Sequence, residues 1–262
     1  MTNTADLDGV TLSYTDVGSG TPLICLHGGM GVDRQTLHAA GILDLSKHGI
    51  RLIIPDQRGH GKSSHDGDAE YTHATWAADT RSLARHLNLS RFALLGHSYG
   101  GFIALEYALR WPDSLSHLVL VATSAGPVFA QTVTFATDAE LREYFRGIWP
   151  LFFAGENKHF DLFEKLGFSA GPYNAAFQRE LPAYDLHERV TELRVPMLLI
   201  VGSTDPYRAH MEWLAENTPE ATLCVLEHVG HFPFIEASAD FVREVVYFLT
   251  GRVQPVGDHT EL

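Results

Sequence analysis

One pentapeptide constrains the fold of this chain more than any other feature, and it is Gly96-His97-Ser98-Tyr99-Gly100. An apolar strand-like segment, Phe92–Leu95, precedes it, and a helical pattern over residues 99–110 follows it. This context predicts a sharp strand-to-helix turn with Ser98 strained at its apex and glycines where side chains would clash. The serine oxygen would then lie beside a helix N-terminus, which favours developing negative charge. We therefore interpret Ser98 as a nucleophile.

Short apolar segments alternate with helical patterns along most of the chain. The predicted strands are Val10–Tyr14, Pro22–Leu26, Arg51–Ile54, Phe92–Leu95, Leu115–Ala122, Met197–Val201 and Thr222–Leu226. The predicted helices cover residues 73–88, 99–110, 207–217 and 237–250. Such alternation indicates crossover connections and a mostly parallel sheet with helices on both faces. The predicted fold class is therefore α/β.

Residues 126–190 interrupt this alternation. They contain helix-like pieces but no clear buried strand, and they hold 13 of the 28 aromatic residues. We predict a helical cap over 126–190, inserted in a core formed by residues 1–125 and 191–262. Most of its aromatic side chains are expected to pack on one another, and a minority to face an active-site cavity, because ligand pockets are largely apolar.

A serine hydroxyl needs a general base, and the base needs an orienting carboxylate. Asp205 and His231 each follow a predicted strand, at the edge where open α/β sheets place their sites. We assign Asp205 as the acid and His231 as the base, although Asp205 also suits a helix N-cap or turn. His228 is the rival base, nearer the strand end, and His97 is too close to Ser98 along the chain.

The oxyanion of the reaction should be bound by two backbone N–H groups. One belongs to Tyr99, directly after the nucleophile, and we assign the other to Gly29 in the glycine-rich segment 27–31. A phosphate-binding loop is a poor alternative for this segment, because no Gly-Lys-Ser/Thr follows at the required spacing.

Composition excludes several partners. The formal net charge of −13 argues against nucleic acid and anionic membrane surfaces. The longest apolar runs are strand-length, short of the roughly 20 residues that cross a bilayer, and we identify no secretory signal peptide. Cys25 and Cys224 are expected to be buried free thiols. We therefore expect a cytoplasmic protein with a small-molecule substrate, and we expect neither a metal nor a cofactor.

Four motifs in order make the chain resemble the α/β-hydrolase superfamily over nearly its whole length: His27-Gly28-Gly29, Asp56–Ser63, Gly96–Gly100, and Asp205 with His231. The resemblance implies the chain order nucleophile, acid, histidine, and a reaction through an acyl-enzyme. The glycine-rich loop and Asp56–Ser63 together resemble the proline iminopeptidase branch. Esterases and lactonases of the superfamily carry similar sets. The charges within Asp56–Ser63 are expected to be structural.

Two departures separate the chain from that branch. Met30 stands where iminopeptidases usually have Pro, and Pro206 follows the acid where some relatives hold the substrate's ammonium with a carboxylate. Four acidic residues of the predicted cap are possible substitutes: Glu140, Glu143, Glu156 and Glu164. We therefore predict cleavage of an ester or lactone with an apolar acyl group, bulky natural products included. Iminopeptidase activity, a ligand receptor with little turnover, and lyase, haloperoxidase or C–C hydrolase activity remain alternatives.

Overall fold

The computed structural model of this chain describes residues 2–7, 9–65, 71–126 and 133–252. Within these ranges, eight strands form one sheet: β1 Thr2–Leu7, β2 Val10–Val17, β3 Thr21–Leu26, β4 Ile50–Pro55, β5 Phe92–His97, β6 Leu115–Val121, β7 Met197–Gly202 and β8 Ala221–Leu226. Their order across the sheet is β1-β2-β4-β3-β5-β6-β7-β8. Pairing is antiparallel from β1 to β4 and parallel from β4 to β8. The predicted α/β class is confirmed.

Helices cover both faces of this sheet. They are α1 Ala40–Leu43, α2 His73–His86, α3 Tyr99–Arg110, α4 Asp138–Ile148, α5 Phe160–Phe163, α6 Ala170–Ala175, α7 Arg208–Asn217, α8 Pro233–Glu236 and α9 Ser238–Thr250. Leu94 of β5 packs in one core with α2, α3 and α7. Its neighbour Leu95 packs in the other core with α1 and α9. Because successive strand residues point to opposite faces, an apolar strand such as β5 serves both cores.

The N-terminal hairpin was not fully predicted. Strand β1 pairs with β2 from Thr2↔Thr15 to Leu7↔Val10, whereas the sequence indicated only the second strand. Ala5 and Leu7 are buried, and most of the other side chains of β1 are exposed. An edge strand that buries one face needs few apolar residues, so its pattern is weak.

The described residues between β6 and β7 form helices α4, α5 and α6 with short 3-10 turns and a π-helical turn at Ala176–Glu180, and they add no strand to the sheet. A single bridge joins Val32 of the core to Phe168 in this segment. The cap predicted over 126–190 stays a prediction. Residues 127–132 of the predicted cap lie outside the described residues. Across the described ranges, every helix is too short or too polar to span a bilayer.

Candidate active site

Ser98 lies between β5 and α3 with φ 51° and ψ −118°, a conformation that costs a non-glycine residue about 1–3 kcal/mol. The surrounding backbone enforces this turn. A Cβ atom on Gly96 would lie 2.4 Å from the carbonyl oxygen of Gly100, and one on Gly100 would lie 2.3 Å from that of Leu26. Ser98 N–H also donates to the Val121 carbonyl at 2.8 Å. The predicted strained turn is therefore present, and it presents Ser98 at the end of the parallel strands.

Asp205 and His231 are brought together at the same edge of the sheet. His231 Nδ1 lies 2.8 Å from Asp205 Oδ2, and both side chains are buried. Burial raises the pKa of the Asp205 carboxyl, but the charge of His231 and hydrogen bonds from His231 and the Tyr207 N–H outweigh it, so this pKa lies below its ordinary value. Asp205 is therefore ionised. Its Oδ1 also accepts a hydrogen bond from the Tyr207 N–H at 2.7 Å. This is the turn role predicted from the sequence as an alternative for Asp205.

The loop that carries His231 is held from three sides. His97 Nε2 lies 2.9 Å from the His231 carbonyl oxygen. The His231 N–H donates to the Phe152 carbonyl at 2.7 Å. The rings of Phe152 and Tyr207 flank the imidazole, with centroids 5.3 Å and 5.4 Å away. Because Nδ1 of His231 contacts the Asp205 carboxylate, Nε2 is the ring nitrogen that remains for another partner.

His97 and His228, the other histidines weighed as bases, have structural positions. Burial, followed by the nearby His231, lowers the pKa of His97 to about 3, so its ring is neutral and anchors the His231 loop. His228 is exposed at a turn, where its N–H donates to Ser203 Oγ at 2.9 Å. Of the histidines weighed, His231 is the one bonded to Asp205.

A cavity of about 200 Å³ opens onto Ser98 and His231. Gly28, Gly29, Val32, Thr36, His97, Ile148, Pro206 and Tyr207 contribute to its wall. Six aromatic residues from the predicted cap also line it: Tyr144, Phe145, Trp149, Phe152, Tyr173 and Phe177. Among the described residues, no Asp, Glu, Lys or Arg lines this cavity. It therefore suits an uncharged, largely apolar ligand.

The residues assigned to the oxyanion hole lie next to Ser98. Tyr99 follows Ser98 as the first residue of α3. Gly29 lines the cavity with φ 61°, and a Cβ atom on the adjacent Gly28 would lie 2.6 Å from that of Ser98. The backbone at Gly28 and the Ser98 side chain therefore approach so closely that glycine is required here. The assignment of the two N–H donors stays a prediction.

Asp56 and Arg58, two charged residues of the segment Asp56–Ser63, pair with buried partners. Asp56 forms an ion pair with Arg34 and accepts from the Lys62 N–H at 3.0 Å. Arg58 binds Asp79 through two nitrogens, at 2.9 Å and 2.8 Å. None of these residues lines the cavity, which agrees with the structural role expected for this segment.

Several other predicted features lie away from the cavity. Glu164 pairs with Arg142 and Arg146, and the predicted substitutes Glu140, Glu143 and Glu156 are likewise absent from its lining. Cys25 and Cys224 are both free, but only Cys25 is buried. Cys224 is half-buried because β8 is the edge strand of the sheet. In the ranges described, no three His, Cys, Asp or Glu residues are placed to hold a metal ion.

Tyr207 is the site residue that sequence reasoning missed. It is buried, it lines the cavity, and its ring lies 5.4 Å from the His231 ring. Its position two residues after the acid was the available signal. An aspartate in a turn commonly accepts from the N–H two residues on, which places that residue at the site.

Comparison with known proteins agrees with this architecture. The model of the α/β hydrolase family matches residues 23–244. The chain therefore belongs to that family and is a hydrolase, as the motifs indicated. It is 27% identical to an esterase from Exiguobacterium antarcticum, with a TM-score of 0.82 and coverage of 95% of this chain and 99% of that one.

Relatives with other activities are similarly distant. The chain is 28% identical over 260 residues to a 2-hydroxymuconate semialdehyde hydrolase from Pseudomonas putida, which spans 92% of this chain and 91% of the relative. It is 24% identical over 260 residues to a proline iminopeptidase from Lactobacillus helveticus, at 84% and 87% coverage. These relatives are named for different activities. The substrate class of this chain therefore has to be inferred from the residues that line its cavity.

Proposed function

We propose that this protein hydrolyses uncharged carboxylic esters or lactones, with Ser98, His231 and Asp205 as its catalytic triad. The observation that carries the proposal is that Ser98 and His231, which is bonded to Asp205, open onto one aromatic cavity. No charged side chain is among the described lining of this cavity. The likeness to an esterase at 27% identity is a further support.

The reaction follows from the roles of these groups. His231 Nε2 takes the proton of Ser98 as the serine oxygen attacks the carbonyl carbon, and Asp205 holds the imidazole and stabilises its charged form. The N–H groups of Gly29 and Tyr99 bind the oxyanion. The alcohol leaves with the proton from His231, and water then cleaves the acyl-enzyme with the same histidine as base.

The uncharged lining supports neutral esters and lactones over charged substrates. An ammonium or carboxylate without a partner in such a cavity would lose hydration on the order of several kcal/mol. An aminopeptidase substrate carries a free ammonium, and none of the glutamates considered as its partner lines the cavity. Neutral esters and lactones bring no such cost, so they are favoured over iminopeptidase substrates.

Labelling with a fluorophosphonate and peptide mapping tests the nucleophile. We expect label on Ser98 of the wild type and none there after Ser98→Ala. Ser116→Ala is a matched control, because its hydroxyl is buried on β6 outside the cavity lining. Label that persists in Ser98→Ala, or none on a folded wild type, contradicts the triad and favours a ligand receptor.

A substrate panel tests the ester assignment separately. It contains neutral esters and lactones, the same acyl groups with an added carboxylate, prolyl amides, and a C–C hydrolase substrate. We expect neutral esters or lactones to have the highest kcat/KM, by about 100-fold over their charged analogues. A preference for prolyl amides or for C–C cleavage overturns the ester assignment while leaving the triad in place.

A further inference from the structure

The glycine-rich backbone beside Ser98 makes a tight turn that its own side chains do little to fix. The Val32 N–H donates to the Gly29 carbonyl at 2.7 Å and closes the turn. Gly29 and Gly31 have positive φ angles of 61° and 96°, a region that glycine enters about as readily as negative φ. Contacts from elsewhere in the chain therefore have to hold this turn in one conformation.

His60 supplies one of these contacts. Its Nε2 accepts a hydrogen bond from the Gly31 N–H at 2.8 Å. Its Nδ1 lies 3.0 Å from the Arg58 carbonyl oxygen and 3.2 Å from that of Gln57. Because a backbone N–H only donates and a carbonyl only accepts, the His60 ring is neutral and carries its proton on Nδ1. Burial, followed by the nearby His27, lowers the pKa of His60 to about 3, which agrees with a neutral ring.

His27 holds the other end of the turn. Burial lowers the pKa of His27 to about 4, so its ring is neutral as well. The Gln57 N–H donates to His27 Nε2 at 3.1 Å. The proton is therefore on Nδ1, which lies 3.3 Å from the Gly28 carbonyl oxygen. The rings of His27 and His60 meet edge to face with centroids 5.1 Å apart, so the two contacts form one buried unit.

The N–H group assigned to the oxyanion hole lies between these two contacts. The Gly29 N–H belongs to the same planar peptide group as the Gly28 carbonyl, and in a trans peptide the two point in opposite directions. The Gly31 N–H lies two peptide groups further along the chain. Holding the Gly28 carbonyl and the Gly31 N–H therefore limits the rotation of the peptide groups between them, and the Gly29 N–H keeps one direction.

We propose that His60 is a positioning residue of the oxyanion hole, whose Nε2 lone pair keeps the Gly29 N–H aimed at the developing oxyanion by holding the Gly31 N–H. The inference rests on the Ser98 nucleophile of the proposed function. His60 is buried and is absent from the described lining of the cavity, so it acts through the turn and touches no substrate. It keeps its Nδ1 proton throughout the reaction.

A merely structural histidine would behave differently. If His60 only fills space, its removal slows every reaction at Ser98 by the same factor. A misaligned N–H donor matters most where the atom that becomes negative is oxygen, because sulfur is a weak hydrogen-bond acceptor. The dependence of the loss on this atom therefore separates the two roles.

His60→Leu removes the acceptor and keeps an apolar side chain of similar size. We would compare it with wild type in labelling of Ser98 by a 4-nitrophenyl phosphonate with a P=O group and by its P=S analogue. We expect about tenfold slower labelling by the P=O probe and less than about twofold by the P=S probe. His60→Gln has a side-chain carbonyl that can accept from Gly31, and it should recover most of the lost rate.

His38→Leu is the matched control. It loses a histidine that lies 3.1 Å from Thr15 Oγ1, outside the described cavity lining, and it should change neither labelling rate. Equal losses with both probes in His60→Leu, no loss with the P=O probe, or a folded His60→Gln as slow as His60→Leu would overturn the positioning role.

The probes need no ester turnover. A wild type that is labelled but cleaves no ester therefore refutes the proposed function alone, and the ratio of the two labelling rates still decides the role of His60. No labelling of a folded wild type refutes both. If His60→Leu does not fold, the nitrogen chemical shifts of the wild-type His60 ring decide. We expect a protonated Nδ1 and an unprotonated Nε2, and a proton on Nε2 contradicts the proposal.

Discussion

Asp205 and His231 form a buried pair in which Nδ1 of the imidazole lies 2.8 Å from Oδ2 of the carboxylate. This contact fixes which ring nitrogen carries the proton, and so leaves Nε2 as the one that can accept from Ser98. It also explains why the pKa of the carboxyl is lowered although the group is buried. A small chemical change in this pair is therefore expected to have a large effect.

Asp205→Asn keeps the shape of the side chain and removes its charge. We expect kcat for a neutral aryl ester to fall by about 10³–10⁴-fold, because the amide favours the wrong tautomer of His231. The melting temperature and the kcat are measured on the same preparation. A loss below about tenfold in a folded variant would show that Asp205 does not orient the base.

Acid stability should depend on four buried histidines. Burial lowers the pKa of His27 to about 4 and those of His60, His73 and His97 to about 3, whereas an unfolded chain titrates near 6.5. The unfolded chain therefore binds more protons between about pH 6.5 and 3, and the free energy of unfolding falls as the pH drops through this window. Urea denaturation at pH 7, 6 and 5 measures the slope.

His73→Phe tests one of these groups. Its Nδ1 lies 3.5 Å from Glu180, but its Nε2 has no hydrogen-bond partner and the ring is nearly fully buried, so we take the histidine as neutral. Removing this histidine should reduce the slope of the unfolding free energy against pH by up to about 1.4 kcal/mol per pH unit. An unchanged slope would mean that His73 is protonated in the folded protein.

Glu236 links the loop that carries His231 to the segment after Phe152. One carboxylate oxygen accepts from the Gly230 N–H at 2.8 Å and the other from the Gly155 N–H at 3.0 Å. Glu236→Gln replaces one carboxylate oxygen with an NH2 group, which donates and so cannot accept from the backbone N–H group that it faces. We expect a loss of about 1–2 kcal/mol in stability and a several-fold lower kcat. Glu227→Gln, an exposed neighbour in sequence, should change neither, and equal effects of both variants would contradict the link.

Gly100 and Gly147 form a matched pair for the strained turn. A Cβ atom on Gly100 meets the Leu26 carbonyl at 2.3 Å, whereas one on Gly147 in α4 meets nothing within 4 Å. We expect Gly100→Ala to cost about 3 kcal/mol or more, and Gly147→Ala to stabilise by about 0.5–1 kcal/mol. Denaturant midpoints measure both. A tolerated Gly100→Ala would show that the turn can relax.

The local pattern of apolar residues was sufficient to predict the buried parallel strands. Met197–Gly202 is apolar throughout and buried on both faces, so its sequence alone indicated a strand. The edge strand Thr2–Leu7 has no such signal, because half of its surface faces solvent. Cys224 is half-buried for the same reason, because it lies on the edge strand β8. Sequence therefore predicted the centre of the sheet better than its edges.

The sequence by itself determined the class of the fold, the strained turn at Ser98, and the two loops that bring Asp205 and His231 to one edge of the sheet, because each depends on a short stretch of chain. Only the tertiary structure decided that these two side chains bond across 26 residues and that His97 anchors a carbonyl 134 residues away. It also placed Tyr207 in the wall of the cavity and kept charged side chains out of the described cavity lining. Such contacts depend on how loops pack over the sheet, and no local pattern encodes that packing.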